Sequence, residues 1–203
     1  MLIKNKYFPV VFLIAFLINL FFSCGNDYVP KPRGYFRIDL PEKQYRILDS
    51  IYPYTFEYPV YAQITRDKFA PDEPYWINVD FPQFKGRLHL SYKVVDNNLA
   101  DYLEDARTMV VKHIPKASAI NEQLIINEYD KTFGLIYEIK GIGAASPYQF
   151  FITDSTKHFL RGALYFNIVP NNDSLAPVID FLKQDIEQII NTLKWKKEIK
   201  KNS

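Results

Sequence analysis

The one cysteine of the chain, Cys24, stands at the end of its one long apolar run, and this pairing constrains the fold more than any other feature. A single thiol allows no intrachain disulfide and no cysteine-based metal cluster, so the domain that follows must be held by packing and hydrogen bonds alone. The composition suits that demand: 16 Phe, 15 Tyr and 2 Trp bring the side chains with the largest buried areas per residue. Upstream, Lys4 and Lys6 precede an apolar run over residues 10–22, broken only by Asn19, and Ser23 supplies a small residue before the cysteine. A positive start, a short apolar middle and a small residue at the end make residues 1–23 a signal peptide. The run is shorter than the roughly 20 apolar residues a membrane-crossing helix needs.

A leader that ends on a lone cysteine is the pattern of a bacterial lipoprotein, in which the thiol is joined to diacylglycerol and the new amino terminus carries a further acyl chain such as palmitate. In Leu20-Phe21-Phe22-Ser23-Cys24, Ser23 fits this pattern and Phe21 stands where leucine is usual. The competing reading is an uncleaved anchor with an incidental thiol. Two or more acyl chains, at about 0.8 kcal/mol per buried methylene, hold a protein stably on a bilayer. Cys24 is therefore the expected lipidation site. Gly25, rather than aspartate, follows it, and Asp27 has no acidic neighbours. Both points favour the outer membrane with the domain facing the periplasm.

Charge narrows the partners. The chain carries 25 Lys and Arg against 23 Asp and Glu; with Lys4 and Lys6 in the leader, the mature protein is balanced, which argues against nucleic acid. The exception is local. Lys194, Lys196, Lys197, Lys200 and Lys201 crowd the end, so residues 196–203 read as a basic tail that is either simply solvated or in contact with anionic lipid headgroups.

Residues 24–50 read as a lipidated tether and extended arm. Pro30-Lys31-Pro32-Arg33 favours an extended, semi-rigid spacer, and Phe36, Ile38 and Leu40 fall on one side of any extended segment, a face expected to be pinned to the domain. The run Pro30-Lys31-Pro32-Arg33-Gly34-Tyr35-Phe36-Arg37-Ile38-Asp39-Leu40-Pro41-Glu42-Lys43-Gln44-Tyr45, followed by Tyr52-Pro53-Tyr54-Thr55-Phe56-Glu57-Tyr58-Pro59, resembles the GldD family of gliding-motility lipoproteins. That resemblance implies a cell-envelope protein required for gliding and tied to the type 9 secretion apparatus, with other proteins of that machinery as partners. It brings no catalytic residues, only an acylated cysteine corresponding to Cys24.

Residues 51–195 read as a single globular domain. Residues 54–65 are dense in aromatic and β-branched side chains, a strand with Pro59 at an edge or bend. Residues 76–81 and 88–94 alternate and form a hairpin across the turn at 82–86. From Leu99 the period becomes helical, with Leu99, Tyr102, Leu103, Ala106, Met109 and Val110 on one side, Asn98 as cap and Pro115 as stop. Strands at 124–129 and 132–140 follow, then a small-residue loop at 141–147 and a hairpin of 148–153 with 158–168. A last helix, capped by Asp173 or Ser174 with Pro177 in its first turn, carries Val178, Phe181, Leu182, Ile186, Ile189, Ile190 and Leu193 as a stripe. The fold class is α+β, a mostly antiparallel sheet covered by two amphipathic helices. The order of elements resembles the PsbP/Mog1-like α-β-α sandwich.

Signs of chemistry are sparse. His89, His113 and His158 lack the spacing of a metal site, and no nucleophile elbow surrounds Ser146. Gly141-Ile142-Gly143 is a bare G-x-G, read as a turn, and the acidic pairs Asp72-Glu73 and Glu104-Asp105 read as solvated surface. On its strand His89 shares a side with Arg87, Ser91 and Lys93, an ordinary wet face. The expectation is a non-enzymatic protein with no catalytic residue, cofactor, metal or small-molecule substrate, some of whose aromatic residues among Tyr52, Tyr54, Phe56, Tyr58, Tyr61 and Trp76 form a docking surface. The competing class is an envelope ligand-binding or hydrolytic domain acting on peptidoglycan or a sugar. It requires a polar cleft with convergent ionisable groups, in particular His158 or a carboxylate beside Ser146.

Overall fold

Strict alternation builds the centre of the fold. In the computed structural model, which describes residues 38–49 and 51–196, Ile77, Val79 and Phe81 have no exposed surface and pair antiparallel with Leu90, Leu88 and Gly86. Cys24, Phe36 and the tail beyond Lys196 lie outside the described residues. The elements are β1 (Tyr45–Ile47), β2 (Tyr54–Thr55), β3 (Glu57–Pro59), β4 (Gln63–Arg66), β5 (Ile77–Phe81), β6 (Gly86–Val94), α1 (Leu99–Val111), β7 (Ala119–Asn127), β8 (Thr132–Lys140), β9 (Tyr148–Thr153), β10 (His158–Phe166), α2 (Asn172–Thr192) and β11 (Lys194–Trp195). Seven strands form one sheet in the order β4-β5-β6-β10-β9-β8-β7, while β1 with β3 and β2 with β11 make two small ribbons. All the pairings are antiparallel.

Neighbouring residues on a strand point to opposite faces, and the two cores divide accordingly. Tyr148, Phe150, Ile152 and Leu160 join the larger core, where the α2 stripe packs with Tyr54, Phe56 and Tyr58. Phe151, Phe159, Tyr137 and Ile139 join the smaller one under Ala106 and Val110 of α1. Helices thus cover both faces, unequally: α2 buries seven residues and α1 two.

Several boundaries differ from the sequence reading for local reasons. Residues 54–65 divide into β2, β3 and β4 because the chain turns after Pro59, where Ala62 N–H donates to the Pro59 carbonyl. Asn98 precedes α1, but its Oδ1 accepts from Asp96 N–H at 2.9 Å instead of capping the helix. Met109 is 42% exposed, away from the face that α1 buries. The cap of α2 is neither Asp173 nor Ser174 but Asn171, whose side chain accepts from Ser174 N–H, a first-turn donor that its backbone carbonyl also accepts from. Pro177 consequently lies inside the helix. The arm is built into the fold as well: β1 pairs with β3 and Leu48 is buried, so packing starts before residue 51.

Candidate functional site

Two polar clusters stand out against this apolar frame. The first sits on α2, where Asp185 has no exposed surface and lies within the helix's apolar stripe. A carboxylate there is costly unless it is paired and hydrogen-bonded. Its partners come from the arm and the turn after β3. Lys43 Nζ lies 2.7 Å from Oδ2, the Tyr45 hydroxyl donates to Oδ1 at 3.0 Å, and the Tyr61 hydroxyl donates to Oδ2. Lys43 also donates to the Phe181 carbonyl at 2.8 Å and rests 3.3 Å from the centroid of its ring. Every partner is engaged, so the cluster works as a fastening of the arm to α2 rather than as a reactive centre.

That fastening has an alkaline limit. Burial, helped by the Asp185 charge and hydrogen bond, pushes the Tyr45 hydroxyl from 10.0 up to about 12, and Tyr61 is driven up for the same reasons. A raised tyrosine favours the protonated fold, so its contribution is complete below pH 10 and is lost as the pH climbs through about 12. Lys43 runs the other way, since burial holds its pKa below 10.5 and deprotonation relieves that cost. Denaturant midpoints are expected to fall between pH 10 and about 12, with a shallower fall in Tyr45→Phe. An unchanged slope in that variant would remove Tyr45 from the account.

The second cluster lies on the sheet face that α1 leaves open. Asn78, His89, Ala163 and Gln149 follow one another across β5, β6, β10 and β9 as directly opposed residues. The adjoining rows hold Asp80, Arg87 and Tyr165 on one side and Ser91 and Arg161 on the other. Asp80 is ion-paired to Arg87 and accepts from the Thr65 hydroxyl at 2.7 Å. His89 Nδ1 is 3.9 Å from Asp67 Oδ2, and its ring meets Tyr165 edge-on at 5.7 Å. Burial, with Arg87 and Arg161 acting in the same direction against the two aspartates, lowers the His89 pKa and keeps the ring neutral. Arg161 Nη2 donates to Gln149 Oε1 at 2.6 Å and bonds Tyr165, and burial pushes its pKa down. Among the described residues no carboxylate pairs with it. Asn78 Oδ1 and Gln149 Nε2 are buried without a hydrogen-bond partner. Over part of this surface opens a cavity of about 700 Å³ lined by Gln63, Phe69, Asp80, Arg87, His89, Tyr165 and the exposed Lys85.

The residues singled out from sequence lie elsewhere. Ser146 is fully buried and its Oγ has no partner, so neither a histidine nor a carboxylate bonds it. His158 Nδ1 is 2.7 Å from the Tyr92 hydroxyl, and its ring stacks 4.9 Å from Trp195. His113, just past the end of α1, bonds the Met109 carbonyl of that helix. The Gly141 loop is a brace: Asn172 Nδ2 donates to the carbonyls of Gly141 at 2.8 Å and Ala144 at 3.0 Å. Glu73 pairs with Lys93, and exposed Glu104 lies 3.8 Å from Arg107. Among the described residues no group of three or more metal-ligating side chains occurs, and no helix is long and apolar enough to cross a membrane. Of the residues singled out, His89 enters the second cluster, and Tyr61, named as a docking aromatic, enters the first. Asn78, Gln149 and Arg161 were missed, because alternation gives a residue's face but not its neighbours across strands.

No curated protein matches the chain. Among solved structures, the chain is similar to the solution structure of cyanobacterial PsbP (CyanoP) from Synechocystis sp. PCC 6803, at 9% identity and a TM-score of 0.48, over 85% of this chain and 97% of that one. The family described as gliding motility lipoprotein GldD matches residues 25–195, a span that takes in all the strands and helices of the described residues. The chain belongs to that family of gliding motility lipoproteins.

Proposed function

We propose that this protein is a non-catalytic scaffold of the cell envelope, acylated at Cys24, that binds protein components of the gliding and type 9 secretion machinery and holds them beside the membrane. Membership of the gliding motility lipoprotein family carries the reading. In it, residues 24–50 are the lipidated tether and arm, 51–195 the binding domain and 196–203 a basic tail, and the anchor sits in the outer membrane facing the periplasm. The Lys43–Asp185 pair supports this division of labour, because it ties the segment that leads from the anchor to the core of the domain.

A surface suited to a protein partner lies at the β7 edge of the sheet. This strand is nine residues long, Glu122 is its one charge, and Leu124 and Ile126 are 69% and 66% exposed. Native edges are usually guarded by lysine, proline or a bulge, and an extended chain is the partner that pairs with their alternating N–H and C=O groups. The occupant is therefore an extended segment of a machinery protein, added as a further strand.

In-cell crosslinking of the wild type and of Leu124→Lys/Ile126→Lys tests this. The double variant is expected to lose defined envelope partners, with folding unchanged. An identical set of crosslinks would refute the edge, and a homodimer abolished by the substitutions would assign it to a second copy instead. Cys24→Ala is expected to leave the domain folded and release it from the membrane fraction. Undiminished membrane association would refute the anchor.

A further inference from the structure

We infer that the open half of the sheet, around His89 and Arg161, is a binding site for an acidic saccharide. The argument begins with charge. A largely buried guanidinium is stable when a carboxylate or another anion balances it, yet among the described residues Arg161 hydrogen-bonds the Gln149 amide and the Tyr165 side chain and no carboxylate. Arg161 lies beside the cavity rather than in its lining and reaches it through Tyr165; of the cations that line it, Arg87 is neutralised by Asp80 and Lys85 is exposed. Set against Asp67 beside His89, Arg161 and Lys85 still leave a positive surplus, and it favours an anion.

Shape and lining then choose among anions. A cavity of about 700 Å³ falls in the range, roughly 300–1,000 Å³, of sites for small organic ligands. It is far larger than a bare inorganic ion requires. Its wall mixes acceptors and donors: the second ring nitrogen of neutral His89, the amide of Gln63 and the Asp80 carboxylate. A polyhydroxylated ligand uses both kinds. Phe69, 91% exposed at the rim, and Tyr165 offer aromatic faces to the C–H side of a sugar ring. In the row of the sheet that holds His89, Asn78 Oδ1 and Gln149 Nε2 remain unpaired, buried polar atoms that are under-satisfied as the face stands. Metal ions fit less well, since Asp80 is already paired and no triad of ligating side chains occurs among the described residues.

The site is separate from the β7 edge, so it stands or falls independently of the scaffold reading. The test is calorimetry on the mature acylated chain in detergent, with sodium glucuronate, glucose and sodium acetate as probes. Saturable binding of glucuronate, at least about tenfold tighter than glucose or acetate, is expected. Arg161→Gln weakens it by about ten- to a hundredfold, the worth of a charge-assisted hydrogen bond. Arg161 also packs, so a second variant guards against loss of folding: Phe69→Ala touches an exposed ring and is expected to weaken glucuronate severalfold while leaving acetate unchanged. As an independent readout, bound glucuronate raises the His89 pKa against the background of Asp67, Asp80, Arg87, Arg161 and Tyr165, followed by imidazole NMR. Equal affinity for acetate and glucuronate, with Phe69→Ala silent, would overturn the saccharide. Absence of saturable binding by any probe would overturn the site.

Discussion

Replacing Asp185 with alanine is expected to lower the free energy of unfolding by about 3 kcal/mol, the low end of what removing one member of a buried ion pair costs. The low end applies because Lys43, whose side chain is 24% exposed, can turn toward water once its partner is gone. The Tyr45 and Tyr61 hydroxyls lose their acceptor in the same step, at about 1 kcal/mol each. Lys43→Met should cost at least as much, since it strands a carboxylate that has no exposed surface. Removing both charges together is the informative case: Asp185→Leu with Lys43→Met should recover part of the loss, because the two desolvation costs disappear along with the attraction. Urea midpoints measure all three. Amide exchange should also quicken in β1 before it does in β6, since the cluster is what ties the arm to α2. A loss below about 1 kcal/mol in Asp185→Ala would mean that the arm is held by other contacts.

The helix that carries Asp185 shows what could be read in advance. Its stripe was legible because Val178, Phe181, Leu182, Ile186, Ile189 and Ile190 share one face through local periodicity, and all six are buried. The acid among them gave no signal, because its partners lie about 140 residues away in the chain. The arm repeats the lesson. Of its expected apolar anchors, Ile38 packs against the core while Leu40 is 44% exposed; Lys43 and Tyr45 do the fastening through charge and hydroxyl, which hydropathy does not register. On the open face, Arg87, His89, Ser91 and Lys93 were correctly put on one side of β6. Only the pairing of β6 with β5 and β10 turns that wet face into a cluster with Asn78 and Arg161, and pairing across strands is a tertiary fact.

Gly134→Ala is expected to be as damaging as the loss of Asp185, and for a different reason. A Cβ at Gly134 would fall 1.9 Å from the Phe151 carbonyl oxygen and 3.1 Å from the Ile152 Cα, so the obstruction is the backbone of the neighbouring strand. Backbone in the middle of a sheet cannot step aside without breaking β8 from β9, which are paired from Phe133↔Thr153 to Glu138↔Tyr148. A cost of about 3–5 kcal/mol follows, at the upper end of single-residue effects. Gly162 provides the contrast. Its Cβ would meet the Phe150 ring at 2.2 Å, but a side chain can tilt even when buried, so Gly162→Ala should cost about 1–3 kcal/mol. At Gly143 the nearest atom is the flexible Lys116 Cδ at 3.5 Å, ordinary contact, and alanine there should be almost neutral. The order 134, then 162, then 143 is the expectation, read from denaturant midpoints of the three variants. If Gly162→Ala proved worse than Gly134→Ala, the rigid element at this place would be the aromatic layer under α2 and not the β8–β9 ladder.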